Sequence, residues 1–226
     1  MNRVFILLNS HSDFNNYNEL DYYLSDCWVD IGTTIPVSPN DYNIIVAWNY
    51  RKIIKSIPIP NNIIIFHSSN LPHGKGWAPI YHSIASENFF YTITGILASL
   101  RVDSGDIVVR AKFKIKPEYI AKDIRNFDNQ ISLLLVKKII EKFDEGPIKG
   151  IKQCGASSYN ERRYPSDNEI NIQDSFTSLI PHLRACEDNA PPYFYYNNIR
   201  YNVSINPDFS VDTLIPKDLN INFAID

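Results

Sequence analysis

Short apolar runs alternate with helical patterns over the first 143 residues of the chain. A continuous apolar run between polar residues is typical of a buried strand, and alternating apolar and polar residues also indicate a strand. The predicted strands comprise residues 3–8, 43–48, 63–66, 91–100 and 106–115. Apolar residues at helical spacing predict helices over residues 19–29, 53–57, 79–85 and 117–143, with Pro117 as the first residue of the last one. Residues 30–42, which contain two prolines and a glycine, are predicted to be irregular.

The pattern changes after residue 148. Residues 150–172 are polar and are predicted to be largely irregular, and a short helix is predicted over 175–186. The segment YFYYNNIRYNVSI predicts an aromatic hairpin that turns at Asn197 and Asn198.

Strands that alternate with helices are typical of an α/β fold with a mostly parallel sheet. We therefore expect an α/β core over residues 1–148 and a small C-terminal α/β extension over residues 149–226. Ligands of such sheets bind outside the carboxyl ends of the strands. Three loops follow the ends of predicted strands, at residues 49–50, 67–77 and 101–106. The most polar and glycine-rich of them, residues 67–77, is the predicted active site.

Composition excludes several classes of protein. With 44% hydrophobic and 21% charged residues, the chain can bury a sizeable core and is not a disordered chain. Its three cysteines, Cys27, Cys154 and Cys186, are widely spaced, which argues for a reducing compartment and against a structural zinc site. The first apolar run is too short for a signal peptide, and no apolar stretch reaches the roughly 18 residues of a membrane helix, so we expect a cytoplasmic protein. A net charge of −3 disfavours nucleic acid as a partner.

Three segments resemble motifs of one enzyme family. The first, IIIFHSSNLPHGKGWAPIYHSI, is similar to the HxSLLPxxRGxAP loop of the folate-dependent formyltransferases, with His67 at the place of the family's catalytic histidine. The second, VDSGD, resembles the family's LDTGD motif and puts its catalytic aspartate at Asp103. The third, ERRYPSDNEIN with the hairpin that follows, resembles the domain that formylates UDP-4-amino-4-deoxy-L-arabinose. The resemblance covers about residues 43–205 and implies a Rossmann-like formyltransferase fold.

The resemblance also implies a site. The implied catalytic residues are His67, Asp103 and Asn70. The implied folate contacts are Trp48, Asn49, Tyr50, Arg101, Val102 and Asp106, and the implied substrate contacts are Ser68, Lys75, Gly76 and Trp77. Asn70 enters this set because the family's asparagine, two residues before the histidine, is replaced by Ile65, which has no side-chain donor. Lys75 replaces an arginine, which keeps the charge and loses the bidentate geometry.

The chemistry suits these residue types. The implied cofactor, N10-formyltetrahydrofolate, gives its formyl group to an amine, which must be neutral to attack. An imidazole, with an ordinary pKa of about 6.5, can accept a proton near neutral pH, and Asp103 would orient it. Protonated His67 and an amide donor would then stabilise the oxyanion, and no metal is needed.

Structural interpretations stand beside these functional ones. A histidine at a strand end, an aspartate before Ser-Gly and an asparagine before Leu-Pro are ordinary loop residues when taken singly. Arg162, Arg163 and Tyr164 either contact a phosphate or sugar or form a solvated loop. The aromatic residues 193–196 either pack within their hairpin or form a stacking platform.

The favoured substrate is the amine of a nucleotide-linked amino sugar, a 4-amino-4,6-dideoxyhexose of lipopolysaccharide O-antigen biosynthesis. Methionyl-tRNA formyltransferases carry a further C-terminal barrel, which we do not expect in this chain, and the glycinamide ribonucleotide enzyme lacks the ERRYPSDNEIN-type segment. Two alternatives stay open: a non-catalytic descendant that binds folate or a nucleotide sugar, and a formyltransferase for a non-sugar amine. The aromatic C-terminal segment also suits a homodimer surface.

Overall fold

A computed structural model describes residues 1–10, 17–54, 62–143 and 146–224 of the chain. The strands are β1 (Asn2–Leu7), β2 (Cys27–Gly32), β3 (Ile44–Ala47), β4 (Ile63–His67), β5 (Lys75–Gly76), β6 (Phe90–Leu97), β7 (Ile107–Lys114), β8 (Tyr159–Asn160), β9 (Tyr193–Tyr196), β10 (Ile199–Asn202) and β11 (Asn220–Phe223). The helices are α1 (Tyr17–Leu24), α2 (Pro79–Ala85), α3 (Ala121–Lys142) and α4 (Phe176–Ala185).

Seven strands form the central sheet, in the order β11-β7-β6-β4-β3-β1-β2. The pairs from β4 to β2 are parallel, whereas β4–β6, β6–β7 and β7–β11 are antiparallel. Five strands therefore point in one direction, and β6 and β11 point in the other. The predicted α/β fold with a mostly parallel sheet is confirmed.

The direction of β6 corrects one prediction about the active-site edge. Leu97, at the end of β6, lies opposite Ile64, and the amide of Ala98 bonds to the carbonyl of Ile63 at 2.8 Å. The loop after β6 therefore leaves near the beginning of β4, and the expectation that all three loops follow carboxyl ends at one edge is wrong. An apolar run shows that a strand is buried but does not give its direction.

Alternation along the strands divides the apolar side chains between the two faces of the sheet. The main core lies on the face covered by α1, α2 and α3, and it contains Val46 of β3 and Ile64 of β4. The minor core lies on the other face and comprises Phe5, Leu7, Ile45, Ala47, Ile54 and Ile63, with Tyr50 and Ala98 packed against it.

Two predicted helix boundaries are wrong. The helix expected over residues 19–29 is α1 followed by β2, in which Cys27, Val29 and Ile31 pack on the main core with the period of a strand. The helix expected from Pro117 begins at Ala121, because residues 116–119 form a turn and the Asp123 carboxylate accepts the amide of Ile120 at 3.0 Å. The segment around residues 53–57 lies partly outside the described residues, and residues 53–54 are not helical.

The C-terminal extension is tied to the core. Helix α4 and the hairpin β9–β10 are confirmed, and Asn197 and Asn198 have the positive φ angles, 49° and 62°, of a tight hairpin turn. The sequence does not predict β11, which pairs with β7 at one end of the sheet, or β8, which pairs with β5. The division at residue 148 stays a prediction. No helix within the described residues is long and apolar enough to cross a membrane.

Candidate active site

His67 ends β4 on the same face of the sheet as Ile63 and Ile65. Its side chain is 10% exposed, and its two ring nitrogens face two oxygen atoms. Nε2 lies 3.0 Å from the carbonyl oxygen of Gly74, and Nδ1 lies 3.7 Å from a carboxylate oxygen of Asp103. The first contact is a hydrogen bond, whereas the second is longer than a direct hydrogen bond.

Asp103 is held by backbone and side-chain donors from distant parts of the chain. Its other carboxylate oxygen accepts the amide of Gly76 at 2.9 Å. The Gln153 amide group donates to the carbonyls of Asp103 and Gly105, both at 2.9 Å. A Cβ at Gly105 would lie 1.6 Å from the Leu97 carbonyl oxygen, so only glycine fits in this return of the loop.

The loop of residues 67–77 after β4, called the glycine loop below, is held in place by the C-terminal extension. The amide of Gly74 donates to the Ser158 hydroxyl at 2.8 Å, and that of Lys75 donates to the Ser158 carbonyl at 3.0 Å. Gly76 has φ of +90°, and a Cβ there would lie 2.4 Å from the Asn160 carbonyl oxygen. The Lys75 ammonium also donates to the Ser104 hydroxyl at 2.9 Å and so joins the glycine loop to the loop that carries Asp103.

The arrangement can hold and move a proton. A neutral imidazole that donates Nε2–H to Gly74 leaves the Nδ1 lone pair facing Asp103, whereas an imidazolium donates towards both oxygens. The gap of 3.7 Å between Nδ1 and the carboxylate is wide enough for the ring to exchange a proton with a third group. His67 can therefore act as a proton acceptor, and the adjacent Asp103 carboxylate stabilises the imidazolium that forms.

The position of the missing asparagine is apolar. Ile65 is half-buried and packs against the minor core and against a small cluster of Leu71, Ile96 and Ile107. Asn70 is exposed, and its carbonyl accepts the amide of His73 at 3.0 Å. The catalytic role of Asn70 stays a prediction.

The predicted folate contacts lie in two segments. Trp48 is only 4% exposed and belongs to the main core, and its role as a folate contact stays a prediction. Asn49 has a positive φ of 47°, and its carbonyl accepts the side-chain amide of Asn9 at 2.9 Å. Tyr50 packs on the minor core, as Ala98 does at the start of the second segment.

In that second segment, Arg101 and Val102 are exposed, and the carbonyl of Asp106 accepts the amide of Leu97 at 2.9 Å. Asp106 is thus tied to the sheet through its backbone.

The predicted substrate contacts divide in the structure. Lys75 and Gly76 contact the loop that carries Asp103, and the amide of Trp77 donates to the Asn160 carbonyl. Their role as substrate contacts stays a prediction. Ser68 has an internal partner, because its hydroxyl donates to the buried Asp128 at 2.6 Å. The Ser68 hydroxyl proton is therefore already used in a hydrogen bond within the protein.

Sequence reasoning missed the residues that support the site. Gln153, Ser158 and Asn160 lie in a segment predicted to be irregular and reach the loops across more than 45 positions of the chain. No local pattern marks them. Asp128 was also missed, since a single carboxylate within a helical pattern resembles a surface residue.

A cluster of rings and guanidinium groups borders the glycine loop. Arg162 lies over the rings of Trp77 and Tyr164, with 5.0 and 5.5 Å to the ring centres, and Arg163 lies 3.4 Å over the ring of Tyr81. Arg163 also donates to Asn168 at 2.6 Å. Neither arginine forms an ion pair with a carboxylate among the described residues.

Two histidines pack behind this cluster, where the charged form of an imidazole is disfavoured. Burial, and secondly the charge of Arg163, lower the pKa of both His82 and His182. No group of three or more potential metal ligands occurs in the part of the chain that the structure describes.

The fold is similar to that of solved formyltransferases, and part of the sequence is similar to methionyl-tRNA formyltransferases. The chain is 30% identical over 145 residues to the methionyl-tRNA formyltransferase of Borreliella burgdorferi (strain ZS7), a match that covers 57% of this chain and 46% of the relative. The chain thus spans about half the length of the curated relatives it matches. No protein-family model matches it.

Two solved structures share the fold. The structure of a 4-N formyltransferase from Francisella tularensis aligns with a TM-score of 0.72 and 16% identity over 92% of this chain and 99% of that one. HypX from Aquifex aeolicus in complex with tetrahydrofolic acid aligns with a TM-score of 0.69 and 15% identity over 91% of this chain and 37% of that one. The chain is therefore similar to formyltransferases in part of its sequence and in its fold.

Proposed function

We propose that this protein is an N-formyltransferase that transfers a formyl group from N10-formyltetrahydrofolate to the amine of a nucleotide-linked amino sugar. The observation that carries the proposal is the pair of buried His67 and half-buried Asp103, with 3.7 Å between Nδ1 and the carboxylate. An imidazole beside a carboxylate at the junction of two loops is suited to general acid–base catalysis.

The residues divide the chemistry between them. When bound, N10-formyltetrahydrofolate supplies a formyl carbon that forms a bond to the amine nitrogen, while its bond to N10 breaks and tetrahydrofolate leaves with a proton on N10. His67 donates its Nε2–H to the Gly74 carbonyl, so its Nδ1 is free to accept the proton that the amine loses. The imidazolium later gives this proton to N10 of the departing tetrahydrofolate. Asp103 stabilises the imidazolium in between, and Gly76 keeps the carboxylate in place.

The loops fit a folate donor. A pterin is planar, neutral and rich in hydrogen-bonding groups, so it suits main-chain groups beside an apolar surface. Arg101 and Val102 are exposed, and their main-chain groups can face a ligand. Tyr50 and Ala98 both pack against the minor core and supply apolar surface nearby. The fold is also shared with HypX in complex with tetrahydrofolic acid.

The ring and guanidinium cluster favours a nucleotide-linked acceptor. Trp77 and Tyr164 are 38% and 56% exposed, which leaves ring surface for a nucleobase. Arg162, between them and without an ion pair among the described residues, suits a diphosphate. The second candidate acceptor is methionyl-tRNA, which the names of the sequence relatives favour and the net charge of −3 disfavours.

Calorimetric titration with 5-formyltetrahydrofolate, a stable stand-in for the donor, in the presence and absence of UDP or dTDP tests the proposal. We expect the folate and one nucleotide to bind together. Arg162→Ala should weaken nucleotide binding without changing folate binding, whereas Arg200→Ala, which removes an arginine that lies over Tyr193 instead, should change neither.

Tetrahydrofolate release with a panel of amines then identifies the acceptor. Folate binding without a nucleotide response favours a non-sugar amine, and formylation of methionyl-tRNA favours the second candidate. If neither ligand binds, the enzyme proposal is overturned.

A further inference from the structure

A buried carboxylate lies directly behind the loop that carries His67. Asp128 of α3 is 7% exposed, and one of its oxygens accepts two hydrogen bonds. The donors are the Ser68 hydroxyl, at 2.6 Å, and the hydroxyl of Tyr91 of β6, at 2.5 Å. Tyr91 is fully buried, and burial, followed by the charge of Asp128, raises its pKa well above the ordinary value.

This carboxylate is costly to bury and is supported by charge. Arg125, one turn before Asp128 on α3, forms an ion pair with Glu187 of the C-terminal extension and also interacts favourably with the charge of Asp128. An apolar core of the same shape would avoid the desolvation of the Asp128 carboxylate and the Tyr91 hydroxyl. The cost of burying these groups is consistent with a role besides packing.

The chain geometry connects Asp128 to the catalytic imidazole. Successive side chains at the end of β4 point to opposite faces, so His67 faces Asp103 while Ser68 faces α3. The peptide after Ser68 is fixed as well, because the Thr94 hydroxyl donates to the Ser69 carbonyl at 2.6 Å. Two side-chain hydrogen bonds thus hold the backbone directly after His67.

We propose that Asp128 is a positioning residue that sets the orientation of the His67 imidazole by holding Ser68, a role that rests on the formyl transfer proposed above. Without the carboxylate, Ser68 loses its hydrogen-bond acceptor and the backbone at the end of β4 can shift. The distance between Nδ1 of His67 and the Asp103 carboxylate then departs from 3.7 Å. Because Asp128 acts through Ser68, loss of either group has the same consequence at His67.

Steady-state kinetics of tetrahydrofolate release compare Asp128→Leu, Asp128→Asn and Ser68→Ala with wild type. We expect kcat to fall by roughly 10²-fold in Asp128→Leu and Ser68→Ala, since small misplacements of a catalytic group cost about that much. The KM for the folate should change by less than about threefold, because ground-state binding is retained. Asp128→Asn, which keeps an oxygen acceptor, should recover part of the lost kcat.

Matched controls separate positioning from packing. Gln130→Leu removes a buried polar group of α3 whose partner is Glu19, and Ser132→Ala removes a buried hydroxyl of the same helix. Both should keep the wild-type kcat even where they lower the melting temperature. A fall in kcat in the controls as large as in the Asp128 variants would overturn the proposal.

A spectroscopic readout works without turnover. The imidazole NMR signals of His67, assigned with His67→Gln, should move in Ser68→Ala and Asp128→Leu and stay in place in Ser132→Ala. Unchanged signals in both test variants contradict the positioning role. If the wild-type protein formylates no acceptor, the proposed function fails and these signals still decide the role of Asp128. If Asp128→Leu does not fold, Ser68→Ala decides it.

Discussion

The Asp103 carboxylate lies 3.7 Å from Nδ1 of His67, although the loop that carries it leaves the sheet beside the beginning of β4. The loop reaches His67 because it is held on the face of the sheet that His67 shares with the minor core. The donors that hold it come from the glycine loop and from Gln153. Formation of the pair therefore depends on the docking of three separate segments.

Substitution of either member of the pair tests its chemistry. His67→Ala and Asp103→Ala should each lower kcat for tetrahydrofolate release by roughly 10²-fold or more, the contribution typical of general acid–base catalysis. His73→Ala, which removes an exposed histidine of the same loop, should leave the rate unchanged. A near-wild-type rate in His67→Ala would remove the mechanism.

Gly76→Ala should disrupt the glycine loop. Its Cβ would collide with the Asn160 carbonyl at 2.4 Å, and its φ of +90° is unfavourable for alanine. We expect a loss of roughly 1–3 kcal/mol in the free energy of unfolding and a marked loss of activity, both measurable with urea denaturation and turnover assays. Gly155→Ala is the matched control, since Gly155 has φ of +108° but no atom within 4 Å of the added Cβ. An equal effect in both variants would assign the loss to backbone strain alone.

Gln153→Leu should release the Asp103 loop. The variant removes a donor to two carbonyls, those of Asp103 and Gly105, at a cost of about 1–3 kcal/mol in the free energy of unfolding. Activity should fall further than this stability loss explains, because the carboxylate loses its place beside His67. Gln173→Leu, at an exposed position, should leave both stability and activity as in wild type. Full activity in Gln153→Leu would show that the glycine loop alone holds Asp103.

Stability should decrease in acid because of His82 and His182. Their pKa values are lowered in the folded protein, chiefly by burial, so the unfolded chain binds protons first as the pH falls below 6.5. The free energy of unfolding should therefore be constant with respect to these groups above that pH and fall below it. Urea denaturation between about pH 8 and pH 5 measures this slope. The slope should be shallower in His82→Gln and in His182→Gln than in wild type, and equal slopes in all three proteins would contradict the assignment.

Much of the site was accessible from the sequence because the loops that form it are local motifs. His67 at the end of an apolar run, two glycines that the backbone requires and Asp103 before Ser-Gly all lie in short segments. The supporting residues could not be found in this way. Gln153 and Ser158 have no neighbours in the chain that mark them, and their partners are chosen only when the extension docks on the core.

The sequence by itself determined several elements of the core, since the period of apolar positions reflects which face of each strand or helix is buried. It determined β3, β4, α2 and the Asn197-Asn198 hairpin to within a residue or two. Tertiary structure decided the direction of β6, the addition of β11 to the sheet and the approach of Asp103 to His67. The physical reason is that burial and turn chemistry act between neighbours in the chain. Strand direction and loop docking depend instead on hydrogen bonds and packing between segments that are far apart in the sequence.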